Sequence, residues 1–203
     1  MTITWYGHSC FGIMQDGYTV LLDPYAPGSV PGLRLPRLTA NEVLCTHDHR
    51  DHNAREQVRL QAGRSPFTLT EVPAFHDHHR GAHRGSITMY VLEANGLRVA
   101  HLGDLGCLLT AEQFAKLGRL DAVLIPVGGY YTLTPQEAKN TADMLGAPVT
   151  IPMHYRGSSF GYAELAPLDT YLSLCTDSKR YAGNAVELTN GMPRQTAVLQ
   201  LMK

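Results

Sequence analysis

The stretch Thr46-His47-Asp48-His49-Arg50-Asp51-His52 constrains this chain more than any other. It sets four groups able to bind a metal, His47, His49, Asp51 and His52, within six residues, directly after the short strand-like run 42–46. Imidazole and carboxylate together suit zinc, iron or manganese. So short a cluster cannot easily wrap one ion. It can place two imidazoles on one ion and the carboxylate with the last imidazole on a second. Two ions about 3.5–4 Å apart can hydrolyse a substrate held between them. Seven of the ten histidines fall between positions 47 and 83. A solvated polar turn does not explain that concentration, and the spacing is a strong signal among short motifs.

A two-metal site needs further ligands, and the sequence offers them at strand ends. Asp104 follows the run 97–102, in His101-Leu102-Gly103-Asp104, and His154 follows the apolar run 149–153. If these strands are parallel neighbours of the one before the cluster, all three groups meet at one rim of a sheet, where an aspartate can bridge two ions. Ala74-Phe75-His76-Asp77-His78-His79-Arg80 supplies three more candidates, with His83 close by. His76 comes first after the strand 67–73, so it is the best anchored; His78, His79 and His83 are expected at the mouth of the site or in solvent.

The rest of the chain sets the frame. Its 203 residues suit one domain, 1–203. With 44% apolar and 17% charged residues the composition is globular. A net charge of −1 gives no overall field to hold nucleic acid or an anionic membrane. No apolar run approaches the ~20 residues of a membrane span. The start, MTITWYGHSCFGI, lacks the basic segment and long apolar stretch of a leader. Cys10, Cys45, Cys107 and Cys175 are far apart, form no CxxC pair and read as reduced thiols, which points to the cytoplasm. The expected partner is a small-molecule substrate, with neither nucleic acid nor membrane, and association into a homo-oligomer stays open.

Local patterns predict strands over 2–6, 10–15 and 18–22, with the second and third joined at Asp16-Gly17. A Pro- and Gly-rich loop over 24–40 follows, and a helix over 53–61 capped by Asn53. Strands are expected over 86–93 and 97–102, joined at Asn95-Gly96, and over 121–127 and 149–153. Helices are expected from Thr110 to Leu117, from Thr134-Pro135 to Leu145 with Gly146 closing it, and over 163–175. Two strands around Asn190-Gly191 would end the chain. Strand-rich, then alternating, then strand-rich segments suit a layered α/β or α+β domain.

These pieces resemble the metallo-β-lactamase-fold hydrolases, in particular the small branch of ascorbate-6-phosphate lactonase-like and metal-dependent hydrolase families. The resemblance rests on Gly7-His8-Ser9-Cys10-Phe11, Leu22-Asp23-Pro24, the H-x-H-x-D-H cluster, His76-Asp77, Arg84-Gly85, Gly103-Asp104-Leu105-Gly106, Pro126-Val127-Gly128-Gly129 and Pro152-Met153-His154-Tyr155. It spans residues 3 to about 156 and leaves the last ~45 unmatched, in a domain of ordinary size. It implies a four-layered αββα sandwich with the site at one edge of two sheets. It also implies two divalent ions, zinc as first choice with manganese or iron compatible. His47, His49 and His76 would hold the first ion; Asp51, His52 and His154 would hold the second; Asp104 would bridge. The activity implied is hydrolysis of a small ester, lactone, amide or phosphoester by a metal-bridging hydroxide.

Beyond the ligands, Asp51 is a candidate to orient the hydroxide or move a proton. His8, in its Gly-His-Ser turn, stands evenly between a catalytic and a structural role. Arg84 could meet an anionic group. Tyr130 and Tyr155 could offer a phenol to a developing oxyanion, whereas packing is the better expectation for Tyr131. Gly128-Gly129 would permit a close backbone approach beside the site. An iron oxidoreductase on the same scaffold, a nuclease and a metal-free binding module are the competing readings. The retained His49, the neutral charge and the full ligand set weigh against each in turn.

Overall fold

A computed structural model describes residues 1–201. Two twisted sheets face each other across one apolar core. The first runs in the order β13 (Ala185–Glu187), β1 (Thr2–Gly7), β2 (Cys10–Gln15), β3 (Tyr18–Leu22), β5 (Glu42–Leu44). The second runs β12 (Ser178–Arg180), β14 (Gln195–Val198), β11 (Val149–Met153), β10 (Ala122–Pro126), β9 (Leu97–His101), β8 (Ser86–Ala94), β7 (Thr68–Phe75). In β1 the residues alternate between half-buried and buried, and the inward Ile3 and Trp5 join Phe11, Ile13 and Leu22 against Val72, Met89 and Val91 of the facing sheet. Each such fully buried side chain contributes about 1.5–3 kcal/mol.

β10 and β11 are buried along their whole length, as expected of parallel strands covered on both faces. β9, β10, β11 and β14 are parallel to one another, so the loops after β9 and β11 leave from the same rim. Pro152 is tolerated inside β11 because β14 pairs only with Val149 and Thr150. Pro73 lies within β7, not at its end, and is tolerated because β7 is an edge strand.

The helices cover the second sheet. α1 (Ala111–Leu117) begins with a capping box from Thr110 and Gln113 and packs on β7. α2 (Pro135–Leu145) begins with the same device from Thr134 and Glu137, ends at Gly146 in the left-handed conformation, and packs on β10 and α3 (Leu168–Leu172). This is the mixed α/β sandwich expected. Over the first sheet, the outer layer is the loop carrying Tyr25 and Val30 and a two-stranded sheet of β4 (Leu38–Ala40) and β6 (Val58–Leu60).

Several local expectations are corrected. Residues 53–61 form a single 3-10 turn, Arg55–Gln57, followed by β6. Asn53 turns its amide to Asp48 and caps nothing, and Val58 is drawn into the small apolar cluster against Ala40 and Val43. The loop 24–40 closes with β4. The helix over 163–175 shrinks to α3, because Pro167 sits at its N-cap and bridges back to Arg156. The last two strands are not a hairpin: β13 joins the first sheet and β14 the second. The strand before the histidine cluster, β5, pairs with β3 and so is not a sheet neighbour of β9 and β11.

Candidate metal centre

Each ligand candidate stands at a strand end where the two sheets meet. His47, His49, Asp51 and His52 follow β5 of the first sheet, and His8 leaves β1. His76, Asp104 and His154 leave β7, β9 and β11 of the second. Three of the groupings are tight enough for a cation, with ligand atoms within 4.8 Å of one another: His47, His49 and His76; His47, His52 and Asp104; and His8, Asp51, His52 and His154. One oxygen of Asp104, Oδ2, lies 3.3 Å from Nε2 of His76, 3.2 Å from Nε2 of His52 and 3.1 Å from Nε2 of His154. It thus stands between a member of the first triad and two members of the other group.

The outer nitrogens are fixed by the protein. Asp23 accepts from the Thr46 amide at 2.7 Å through Oδ1, and through Oδ2 from the Thr46 hydroxyl at 2.8 Å and from His52 Nδ1 at 2.9 Å. With its own proton given to Asp23, Thr46 Oγ1 is left to accept from His47 Nδ1 at 3.0 Å. His76 Nδ1 donates to the Tyr131 carbonyl at 3.0 Å. With Nδ1 engaged, all three imidazoles direct Nε2 inward, the nitrogen a metal would take once it is free of a proton. Nε2 of His47 is buried without a hydrogen-bond partner, and Nε2 of His52 meets only carboxylate oxygens, the nearest Asp104 Oδ2 at 3.2 Å. An orphaned nitrogen of this kind is costly unless something else completes it. A divalent cation does so, and the His and Asp donor set suits one.

Burial, assisted by His52, pushes the His47 imidazole down to about 3, so it is neutral and ready to ligate. Burial, then His154, lowers His8 to about 4 despite Asp51 beside it. Burial also disfavours a charged His52, but Asp104 and Asp23 outweigh it and raise its pKa well above the usual value. Burial opposes ionisation of Asp104 and Asp51 as well. Even so, His154 and His52 hold Asp104 well below the carboxylate range, and His8 and His52 hold Asp51 below it. The centre is built to keep its carboxylates charged.

Backbone strain collects here too. His8, Asp23, Tyr130 and His154 are non-glycine residues with φ of 51°, 47°, 54° and 53°, a feature of sites whose geometry is over-determined by their surroundings. Two glycines let the loops close in. A Cβ on Gly106 would stand 2.3 Å from the His76 carbonyl oxygen, and one on Gly128 would stand 2.1 Å from that of His154.

A cavity of about 270 Å³ opens over the centre, lined among others by His49, Asp51, Arg84, Tyr131 and Tyr162. Two of the expected substrate contacts lie elsewhere. Tyr155 is buried against Trp5 and Phe160, because the chain leaves β11 at Met153 and turns at His154, with φ of 53°, so the next side chain enters the core. Tyr130 is 64% exposed and does not line the cavity. Tyr131, expected only to pack, is part of the wall. Tyr162 was not singled out by the sequence reading; its hydroxyl lies 3.1 Å from Asp51 Oδ2 and 2.7 Å from the Ser29 carbonyl. Only the glycines around it, Gly157 and Gly161, hinted that this loop bends back to the site. His78 pairs with Glu137, and His79 and His83 meet edge to face in solvent.

Fold and centre together define a metal-dependent hydrolase, and comparison with known proteins agrees. A beta-lactamase superfamily domain profile matches residues 2–154, and the chain belongs to this superfamily, in its metallo-β-lactamase branch. A UPF0173 metal-dependent hydrolase of Methanospirillum hungatei is 30% identical over 190 residues, covering 76% of this chain and 83% of the relative. A proposed Zn-dependent hydrolase of the metallo-β-lactamase superfamily from Thermotoga maritima shares 35% identity and superposes with a TM-score of 0.79 over 99% of each chain. An isothiocyanate hydrolase from Delia radicum gut bacteria, at 17% identity and TM-score 0.63 over 86% of this chain and 91% of that one, shares the fold.

Proposed function

We propose that the chain is a two-metal hydrolase of a small molecule, acting on an ester, lactone, amide or phosphoester, with zinc as its resident ion. The observation that carries this reading is the position of Asp104 Oδ2, within 3.3 Å of imidazole nitrogens from both ligand groups. His47, His49 and His76 would hold one ion; Asp51, His52 and His154 the other; Asp104 would bridge. Bound there, two divalent ions supply hydroxide at neutral pH and polarise the substrate oxygen.

The chain's own groups supply the remainder. Asp51 Oδ2 lies 3.3 Å from His8 Nε2, so a proton can pass between the carboxylate and a neutral imidazole. The Tyr162 hydroxyl stands 3.1 Å from the same oxygen on the cavity side and shares its one proton between it and the Ser29 carbonyl at 2.7 Å. A volume of about 270 Å³, just under the usual ~300–1,000 Å³ of ligand sites, favours a small substrate over a polymer. Four free thiols favour a reducing compartment such as the cytoplasm.

Metal analysis of the zinc-loaded protein, joined to turnover of a panel of lactones, esters, amides and phosphodiesters, tests the reading. About two ions per chain and zinc-stimulated turnover abolished in Asp104→Ala are expected. Fewer than about one ion per chain after loading overturns the two-metal centre.

A further inference from the structure

Arg84 is a cation placed over the cavity with no counter-charge. Its guanidinium lies over the Tyr131 ring, 5.2 Å from the centroid. Among the described residues no carboxylate stands in ion-pair range of it, although it lines the same cavity as Asp51 and Asp104. Yet its loop is tightly built. Asp77 Oδ1 accepts from the amides of His79 and Gly81, and Oδ2 from those of His83 and Arg84, at 2.8–3.0 Å. The Gly85 amide closes on the Gly81 carbonyl, and the Gly85 carbonyl accepts from the His76 amide.

The segment that positions the metal ligand His76 therefore also fixes the start of the Arg84 side chain. Tyr131 links the same two groups: its carbonyl orients His76, and its ring supports the guanidinium. A long cationic side chain gains little by being held over a cavity without a partner. A guanidinium held over an aromatic ring, with its side-chain donors free of protein acceptors, is arranged to receive an oxyanion.

We propose that Arg84, supported by Tyr131 and the Asp77-wrapped loop, is an anion subsite. The substrate is then a small ester, lactone or amide that carries a second, non-reacting anionic group, carboxylate or phosphate in type. This rests on the two-metal hydrolase reading above and adds to it the part of the substrate that the metals do not touch. The anion on Arg84 aligns the scissile group with the centre, because the wall that holds Arg84 also holds His76.

The test titrates three probes into the zinc-loaded protein by calorimetry: butyrate, glutarate and 4-phosphonobutyrate. Each offers one carboxylate to the centre; the second and third add a further anion. The wild type is expected to bind at least one of the doubly charged probes about tenfold or more tighter than butyrate. In Arg84→Gln that ratio falls to about one while butyrate affinity and zinc content stay unchanged. Arg84→Lys, which keeps the charge and loses the forked guanidinium donors, falls between. Which probe gains more distinguishes a carboxylate from a phosphate-like group. A ratio of about one in the wild type, or a ratio that survives Arg84→Gln, overturns the subsite. An Arg84-dependent ratio without turnover of any panel substrate leaves the subsite standing and removes the hydrolase reading. Turnover with an Arg84-independent ratio does the reverse.

Discussion

Asp23 lies outside the histidine cluster, yet it holds Nδ1 of two imidazoles in it, one from each proposed ligand group. Its Oδ2 receives His52 Nδ1 directly and His47 Nδ1 through the Thr46 hydroxyl. Partners of this kind tune metal affinity by about 10–100-fold. Asp23→Asn, with an amide donor now facing Nδ1–H or the hydroxyl, is expected to weaken zinc by a factor in that range, read by competition with a chromophoric chelator. Unchanged affinity would show that Asp23 only supports the turn. Asp77 acts on the loop in a similar way. Burial opposes its ionisation, but the four amides of Arg84, His83, His79 and Gly81 hold its carboxyl down at about 2 against an ordinary 3.8. A depressed carboxylate stabilises the fold above its unfolded pKa and loses that contribution as pH falls through the folded one. The gap in urea midpoint between the wild type and Asp77→Asn is therefore expected to be constant from pH 8 to 5 and to narrow below about pH 4. A gap that widens in acid would contradict this account.

At the scale of elements, the site depends on how closely three loops approach one another. Gly106 lies where the loop after β9 crosses the His76 backbone, and a methyl group there meets a carbonyl oxygen that cannot give way cheaply. Gly106→Ala is expected to cost about 1–3 kcal/mol by overpacking and to reduce bound zinc, measured by urea unfolding and metal analysis. Gly96→Ala, in open space at the β8–β9 turn, should leave zinc content unchanged. Equal zinc content in both variants would rule out a role for the Gly106 contact in placing His76. The sequence made these strand ends legible because β9 and β11 are short apolar runs, each soon followed by a chemically distinct residue, Asp104 or His154. The two capped helices were equally legible, since Thr110 and Thr134 act within one turn. Tyr162 and the inward turn of Tyr155 were not legible. Both depend on the path of the 157–167 loop, which is set by long-range contacts such as Gly161 to Pro31 and Tyr162 to Ser29. The 53–61 segment misled for a related reason: local polarity suited a helix, but pairing with β4 decided the matter.

Over the whole molecule, the candidate ligands are divided between the two sheets, so bound ions would act as a clamp across the sandwich. A cation at about 100 times its dissociation constant adds about 2.7 kcal/mol, and at roughly 2–4 °C per kcal/mol for a chain of this size that is about 5–11 °C in Tm. The size of this increment depends on pH. His52, between Asp23 and Asp104, has its pKa raised by those carboxylates against the effect of burial. Protonated, it stabilises the metal-free fold below its unfolded pKa, and that contribution fades as pH rises through the folded one. The proton and the cation compete for the same Nε2. The metal-free protein is therefore relatively better off in mild acid, while zinc must displace a proton there. The difference in Tm between zinc-loaded and chelator-treated protein is expected to be larger at pH 8 than at pH 6, and to vanish at both in Asp104→Asn. An increment that is equal at the two pH values, or larger at pH 6, would mean that the charge held between Asp23 and Asp104 is not the one the metal replaces.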